Sequence, residues 1–289
     1  MTAPRPQDRS VSAPVGRRYA TRCRVRLGDV DPAGRLRLDA LLRLTQDVSD
    51  DDRADAGMLD DTAWVVRRSA VEVGCSASWD ETLRCETWCS GLGRSWAERT
   101  FRIEGDAGAA YDVVTLWVMV DPATGRPVSL TDSFRAVYGP AAAGRRVKAG
   151  LVLPRRPPDD ATVRAWPLRA VDYDVFGHVN NAAYVAVVEQ WLADTGTAPE
   201  GLTIEYQTGV PPVTAVTIAE CRVGGVGDGR DGVGEAVRLW WVLDDGQVAA
   251  GAEIRGVNPR PEPDPWSART RSGRRSAART TPAGRTGAR

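Results

Sequence analysis

The chain has 289 residues, 42% hydrophobic and 26% charged, with 38 acidic and 38 basic side chains. That is ordinary globular composition, enough for one large domain or two small ones with a sizeable core. The charge is uneven: residues 1–18 carry +3, residues 258–289 carry +6, and the body 19–257 is left at −9, which argues against a nucleic-acid-binding face in the body.

Residues 1–18 are rich in Pro, Arg and Ser and are expected to be disordered. "YATRCRVRL" follows. Tyr19, Thr21, Cys23, Val25 and Leu27 alternate with Arg22, Arg24 and Arg26, the pattern of a half-buried strand. "GDVDPAG" (28–34) is a turn. A helix is predicted over 38–55, with Asp39 near its start, an apolar side of Leu41, Leu42, Leu44 and Val48, and a stop at the acidic stretch 50–55 and Gly57. Strands are predicted over 63–73, 81–91, 96–105 and 111–121, closed by the turn "DPATG". Residues 139–162 are rich in Gly, Ala, Pro and Arg, and a linker is expected over 141–163.

The pattern then begins again. Residues 164–174 are strand-like, and a helix spans 181–194, with Asn180 or Asn181 as N-cap and Gly196 as stop. Its apolar face is Val185, Val188, Trp191 and Leu192. Strand-like runs cover 202–206, 213–223, 235–244 and 247–255. The tail 258–289 is basic, low in complexity and expected to be disordered. "DPAGRLRLDALL" (31–42) lies over "DVFGHVNNAAYV" (174–185), sharing Asp and Gly in register, and "EVGCSASWDETL" (72–83) lies over "EYQTGVPPVTAV" (205–216). One helix with a mostly antiparallel sheet, twice, gives an α+β fold of two units, 19–140 and 164–257, paired as an internal pseudo-dimer.

Cys23, Cys75, Cys85, Cys89 and Cys221 are odd in number and contain no C-x-x-C. With one histidine in the chain, no metal site is expected, and the cysteines read as small buried hydrophobes in a reducing compartment. The N-terminus lacks the apolar region of a secretory signal, and no run approaches the ~18 apolar residues of a membrane span, so a cytoplasmic chain is expected. "GDGRDG" (227–232) matches G-x-G-x-x-G without a βαβ context and reads as a hairpin loop.

That single histidine, His178, sits in "DYDVFGHVNNAAYV" (172–185). Asp174 and His178 flank Gly177 at a strand-to-helix turn, and the helix directs its first N–H groups back at them. A carboxylate, an imidazole, the amides of Asn180 and Asn181 and a donor set for an oxyanion therefore meet within about 5 Å of helix rise. These are the parts that acyl transfer to water requires. Each also has a structural alternative: the asparagines as caps, Asp174 as a turn residue bonding its own backbone, and His178 as a satisfied half-buried histidine.

"D-V-F-G-H-V-N-N-A-A-Y" resembles the D-x-x-G-H-x-N-N-x-x-Y signature of hot-dog thioesterases. The two-unit layout resembles the acyl-acyl-carrier-protein thioesterases, which are tandem (double) hot-dogs, each an antiparallel sheet wrapped around a central helix. Residues 25–48 are similar to the opening of bacterial members, and "GDVDPAG" resembles the catalytic turn of 4-hydroxybenzoyl-CoA thioesterases. The resemblance implies hydrolysis of acyl thioesters on acyl carrier protein in fatty acid biosynthesis, without cofactor or metal. It places Asp174 and His178 at the catalytic Asp and His, with the first-half Asp31 as the alternative. Plant members carry an Asn where this chain has Phe176, and a Glu-Cys pair where it has Gly209 and Val210. Asp174 is thus left to work with His178 and Asn181, with Gly177 and Asn180 as turn or oxyanion contributors. The acidic carrier makes Arg67 with Arg68, and Arg22, Arg24 and Arg26, candidate docking residues. A homodimer of the double unit is a further possibility. Competing readings are an acyl-CoA thioesterase and a catalytically weakened acyl-thioester-binding protein. A hot-dog hydratase would need an Asn-Pro motif that is absent, and an acyl sensor would need a helix-turn-helix for which 1–18 is too short.

Overall fold

The computed structural model describes residues 15–58, 63–212, 214–224 and 236–259. Its elements are β1 (Tyr19–Arg24), α1 (Leu38–Asp55), β2 (Ala63–Cys75), β3 (Thr82–Leu92), β4 (Trp96–Gly105), β5 (Ala110–Val120), α2 (Asp132–Tyr138), β6 (Thr162–Ala165), α3 (Asn181–Thr195), β7 (Thr197–Ala198), β8 (Gly201–Tyr206), β9 (Val216–Val223), β10 (Ala236–Leu243), β11 (Val248–Arg255) and β12 (Asn258–Pro259). Ten strands form one sheet in the order β1-β3-β4-β5-β2-β8-β11-β10-β9-β6. Every neighbouring pair is antiparallel. The order is a palindrome in kind: an edge strand, three strands of a meander and an inner strand, met at β2–β8 by the same series reversed.

The period-2 alternation in the strands turns one face of the sheet towards the helices. Leu202, Ile204, Leu239 and Trp241 from one half, and Leu83, Phe101 and Ile103 from the other, are almost wholly buried in a single core. Leu41 and Val48 of α1 and Val185, Val188, Trp191 and Leu192 of α3 fill it from the helix side. Side chains of this size each contribute about 1.5–3 kcal/mol when fully buried. The α+β fold with two helix-plus-sheet motifs is as expected, and both long helices lie where the apolar period puts them. Asn180 Oδ1 caps α3 by accepting from Ala182 N–H at 2.9 Å, and Gly196 closes it with φ 63°.

Several expectations need correction. Leu27 lies beyond β1 on a 3-10 turn and is 71% exposed, because the strand ends where that turn begins. Residues 164–174 are not one strand: β6 stops at Ala165 and a second 3-10 turn occupies Ala170–Asp172. Helix α2, capped by the Thr131 hydroxyl, was not anticipated. Only Cys85 and Cys89 are buried; Cys75 is exposed and Cys23 and Cys221 are half-buried. Residues 1–14 and 260–289 lie outside the described residues, as does "GDGRDG". Within the expected termini, Arg17 bonds Asp52 and Asp55, Arg18 bonds Glu86, and Asn258–Pro259 pair with Ala198 and Thr197.

The segment expected as a linker is a strap across the outer face of the sheet. Arg145 bonds Ser90 O and Glu98, Val147 N–H donates to Leu92 O, and Trp96 and Trp240 donate their indole N–H to Val147 O and Pro154 O. At the sheet's centre the Glu205 carboxylate, 2% exposed, accepts from Val152 N–H, Leu153 N–H and Arg68. Arg68 and Arg67 thus point inward; Arg67 bonds the carbonyls of Tyr206 and Gln207, and burial pulls its pKa below the ordinary guanidinium value against the opposing charge of Glu205. They are not a docking patch. Glu205→Ala would strand a half-buried guanidinium and two backbone donors, and is expected to destabilise the fold by about 3–5 kcal/mol in chemical denaturation. A loss below about 1 kcal/mol would show that the strap is held without this carboxylate.

Candidate active site

Two turns lead into the two long helices, and they share one hydrogen-bond pattern. In the first, Asp31 N–H donates to Arg35 O at 2.8 Å, Gly34 N–H to Asp31 O at 2.8 Å and Arg37 N–H to Asp29 O at 3.0 Å. In the second, Asp174 N–H donates to His178 O at 2.9 Å, Gly177 N–H to Asp174 O at 3.1 Å and Asn180 N–H to Asp172 O at 2.8 Å. Gly34 and Gly177 take φ of 79° and 73°, a conformation costly for other residues. Leu36 N–H anchors the first turn to Ala77 O, and Val179 N–H anchors the second to Val210 O. From Asp29–Arg37 to Asp172–Asn180 every correspondence is an offset of 143 residues, while the anchoring carbonyls, Ala77 and Val210, lie 133 apart.

The side chains differ. Asp31 Oδ1 accepts from Ala33 and Arg35 N–H, and its other oxygen takes the Arg35 guanidinium at 3.3 Å. Asp174 Oδ1 accepts from Phe176 N–H at 2.9 Å and His178 N–H at 3.5 Å, so the turn-residue role is real. Its Oδ2 makes no hydrogen bond to any described residue. His178 is exposed rather than a satisfied core histidine, and among the described residues its ring has no hydrogen-bond partner. It lies against the bare backbone of Gly209, where a Cβ would come within 2.7 Å of Cδ2 and 3.2 Å of Nε2. Phe176, at the position where an Asn was noted as missing, is 76% exposed at the tip of the turn.

Beneath the turn, Tyr206 donates its hydroxyl to Asn181 O at 3.0 Å. Tyr184 packs edge-on against Tyr206 and Trp241, at 5.4 and 5.6 Å between centroids. Burial pushes both tyrosine hydroxyls above the ordinary phenol range, and the charge of Asp174 adds to the effect at Tyr184. Both are neutral donors at physiological pH. A cleft of about 310 Å³ lies among β1, Leu83, Asp29 and Leu36 of the first turn and one side of α1, and Asn180 is the residue that the second turn contributes to it. Arg24, Cys23 and Gln46 are among its walls. Asp174, Gly177, His178, Asn180 and Asn181 are therefore contiguous as expected, whereas Asp31 belongs to the other turn. The roles of Tyr206 and Gly209 were missed. "IEY" and the bare Gly209 were visible as letters, but only folding brings them to the imidazole. Among the described residues no cluster of metal-ligating side chains occurs, and no helix is long and apolar enough to cross a membrane.

Residues 16–138 match the acyl-ACP thioesterase N-terminal domain and residues 155–238 the acyl-ACP thioesterase C-terminal domain. An uncharacterized protein of Mycobacterium tuberculosis is 31% identical over 203 residues, 69% of this chain and 81% of that one. The chloroplastic dodecanoyl-[acyl-carrier-protein] hydrolase of Umbellularia californica is 30% identical over 142 residues, 47% of this chain and 37% of the plant protein. In fold, the 12:0-ACP thioesterase of Umbellularia californica matches with a TM-score of 0.69 at 21% identity, over 84% of this chain and 94% of that one. An acyl-ACP thioesterase of Bacteroides thetaiotaomicron matches with a TM-score of 0.63 at 16% identity, over 82% and 97%.

The contact between Gly209 and the imidazole gives a direct test of whether His178 must sit where it does. Gly209→Ala inserts a methyl group where the ring lies, and the ring can move because it is exposed. Thioester hydrolysis is expected to fall about 10-fold or more, with a melting temperature little changed, since small displacements of a reacting group are costly. Unchanged kcat/KM would show that the ring's resting position is immaterial.

Proposed function

This chain belongs to the acyl-ACP thioesterase family, and we propose that it cleaves acyl thioesters at its second turn, with Asp174, His178 and Asn181 as the working set. One observation carries this reading: two turns share a backbone, and only the second combines an uncommitted carboxylate oxygen with an imidazole. Water attacks the thioester carbonyl carbon while His178, with the Asp174 carboxylate at the same turn, takes its proton. The carbonyl π pair moves onto oxygen, where the Asn181 N–H at the start of α3 stabilises it. Collapse restores the carbonyl and breaks the C–S bond, and the departing thiolate takes up the proton that His178 had received. The products are the free fatty acid and the carrier thiol. All of these groups belong to the chain itself, and no cofactor or metal enters the scheme.

Units of 19–140 and 164–257 form an internal pseudo-dimer in this reading, supported by the reversed strand order and the 143-residue offset. The first unit shapes the acyl pocket. Carrier docking narrows to Arg22 and Arg24 on the solvent face of β1 and the exposed Arg26 just beyond it; Arg24 also borders the cleft. Asp174→Ala and His178→Ala are each expected to lower kcat/KM by about 100-fold or more, while Asp31→Ala costs much less. Rates on dodecanoyl and hexadecanoyl thioesters of acyl carrier protein and of CoA measure this and the carrier preference together. If folded Asp31→Ala is dead and Asp174→Ala is active, the first turn is the working one.

A further inference from the structure

The two turns differ in one more respect, which lies on the opposite helix. Helices α1 and α3 pack against each other. At the first turn, Leu38 N–H, the first donor of α1, is taken by Glu189 Oε1 of α3 at 2.6 Å. Arg37 supplies no side-chain cap there, so the carboxylate from the other half fills the position. Glu189 lies eight residues into α3 counting from Asn181, the counterpart of Leu38. Eight residues into α1 from Leu38 is Gln46. The same correspondence sets Gln46 opposite the N-terminus of α3, and Gln46 and Asn180 do line one cleft. There the pattern breaks. Neither the Gln46 carboxamide nor the Asn181 N–H makes a hydrogen bond to any described residue.

A helix N-terminus with free N–H groups attracts negative charge. A carboxylate already seated on it occupies the donor that a developing oxyanion would use, and repels that oxyanion besides. A carboxamide does neither, and it brings two N–H donors of its own. Resting on the second-turn reading above, we infer that Gln46 is a substrate-contacting residue from the first half. Its amide donates to the thioester carbonyl oxygen alongside the Asn181 N–H, and the Glu189/Gln46 difference decides which turn can accept an acyl thioester. The first turn is thereby closed by Glu189 as well as by the Arg35–Asp31 pair.

The test uses the full chain and hexadecanoyl and dodecanoyl thioesters of acyl carrier protein. Gln46→Glu recreates the Glu189 arrangement at the working turn. It is expected to lower kcat by about 100-fold, with a melting temperature equal to or above wild type, because the carboxylate caps α3. Part of that loss should return as the pH falls and the new carboxyl protonates, relative to the wild-type profile. Gln46→Met keeps the length, removes the donors, and is expected to lower kcat about 10-fold or more with a smaller change in KM. Glu189→Gln is expected to leave kcat within about 2-fold, since it acts at the idle turn. Wild-type kcat in both Gln46 variants, with Asp174→Ala inactive, overturns the role of Gln46 and leaves the second turn standing. Should Gln46→Glu fail to fold, Gln46→Met alone decides between these outcomes. Glu189→Gln as damaging as Asp174→Ala would overturn the assignment of the closed turn, and an active Asp174→Ala would overturn the second-turn reading itself.

Discussion

The ladder between β2 and β8, running from Arg68↔Glu205 to Glu72↔Gly201, joins two five-stranded halves into one sheet and sets where everything else falls. Because that pairing is antiparallel, the halves are related by a rotation about the ladder, and their helices meet side by side over its centre. Each helix then begins beside the flank of the other. The consequence is chemical: neither turn is built from one half alone. Gln46 of the first half and Asn180 of the second line one cleft, and a second-half carboxylate reaches the first turn's helix. The ladder is short, and its register is reinforced from outside by Arg255 bonding Glu72 and by the strap bonding Glu205. A slip of one residue would turn Glu205 into the core and Ile204 out of it.

Within this frame the backbone of the turns is fixed and the side chains are free to diverge. The hydrogen bonds that define each turn are backbone to backbone, or backbone to the two Asp residues that both retain, Asp29 and Asp31 in the first and Asp172 and Asp174 in the second, so residues at the other positions can change without opening it. His178 faces Arg35 across the repeat, Asn180 faces Arg37, and Asn181 faces Leu38. The first turn spends its polar groups internally: Arg35 on Asp31, Arg37 on Asp39 and on two carbonyls, and Glu189 on Leu38 N–H. The second leaves an imidazole, a carboxylate oxygen and an N–H with no described partner. Internal satisfaction contributes stability, and the groups left over at the second turn are the ones the proposed chemistry draws on.

Much of this was legible from the sequence because it rests on local signals. Apolar spacing located α1 and α3, Asn180 and Gly196 bracketed α3, and alternation located the strands. The turn was legible because its parts are consecutive. What escaped reading depends on contacts between distant segments. The strap over 141–163 has loop composition, and its order comes from backbone N–H groups and indoles meeting Glu205, Leu92 and Trp240, which no local pattern encodes. Arg67 and Arg68 read as candidate docking residues, yet they bond the strap and β8. Gly209 read as a missing catalytic side chain; folded, it is the space in which the imidazole rests.

The two helices also differ in what they are packed on, and this bears on the proposed division of labour. α3 meets the sheet through Val185, Val188 and Leu192, all essentially without solvent contact, and is joined to it by apolar packing. α1 carries Thr45, Ser49 and Asp52 on its buried side. Asp52 is held by Arg99 at 2.6 Å and by Arg17 at 2.8 Å, with the Arg99 guanidinium over the Tyr138 ring. A second, mostly apolar pocket lies at this end of α1, among Trp64, Trp117 and Phe134, and the 310 Å³ cleft opens at the other. A helix flanked by cavities loses packing energy along its length, since each missing contact forfeits part of its dispersion attraction. Ion pairs of good geometry can hold such a helix at fixed points without filling the space between them, which hydrophobic packing cannot do. They offset each other's desolvation when every partner is satisfied. The first half therefore combines a polar attachment with open volume, which is what the proposed acyl pocket would require, while the tightly packed α3 holds the second turn in place.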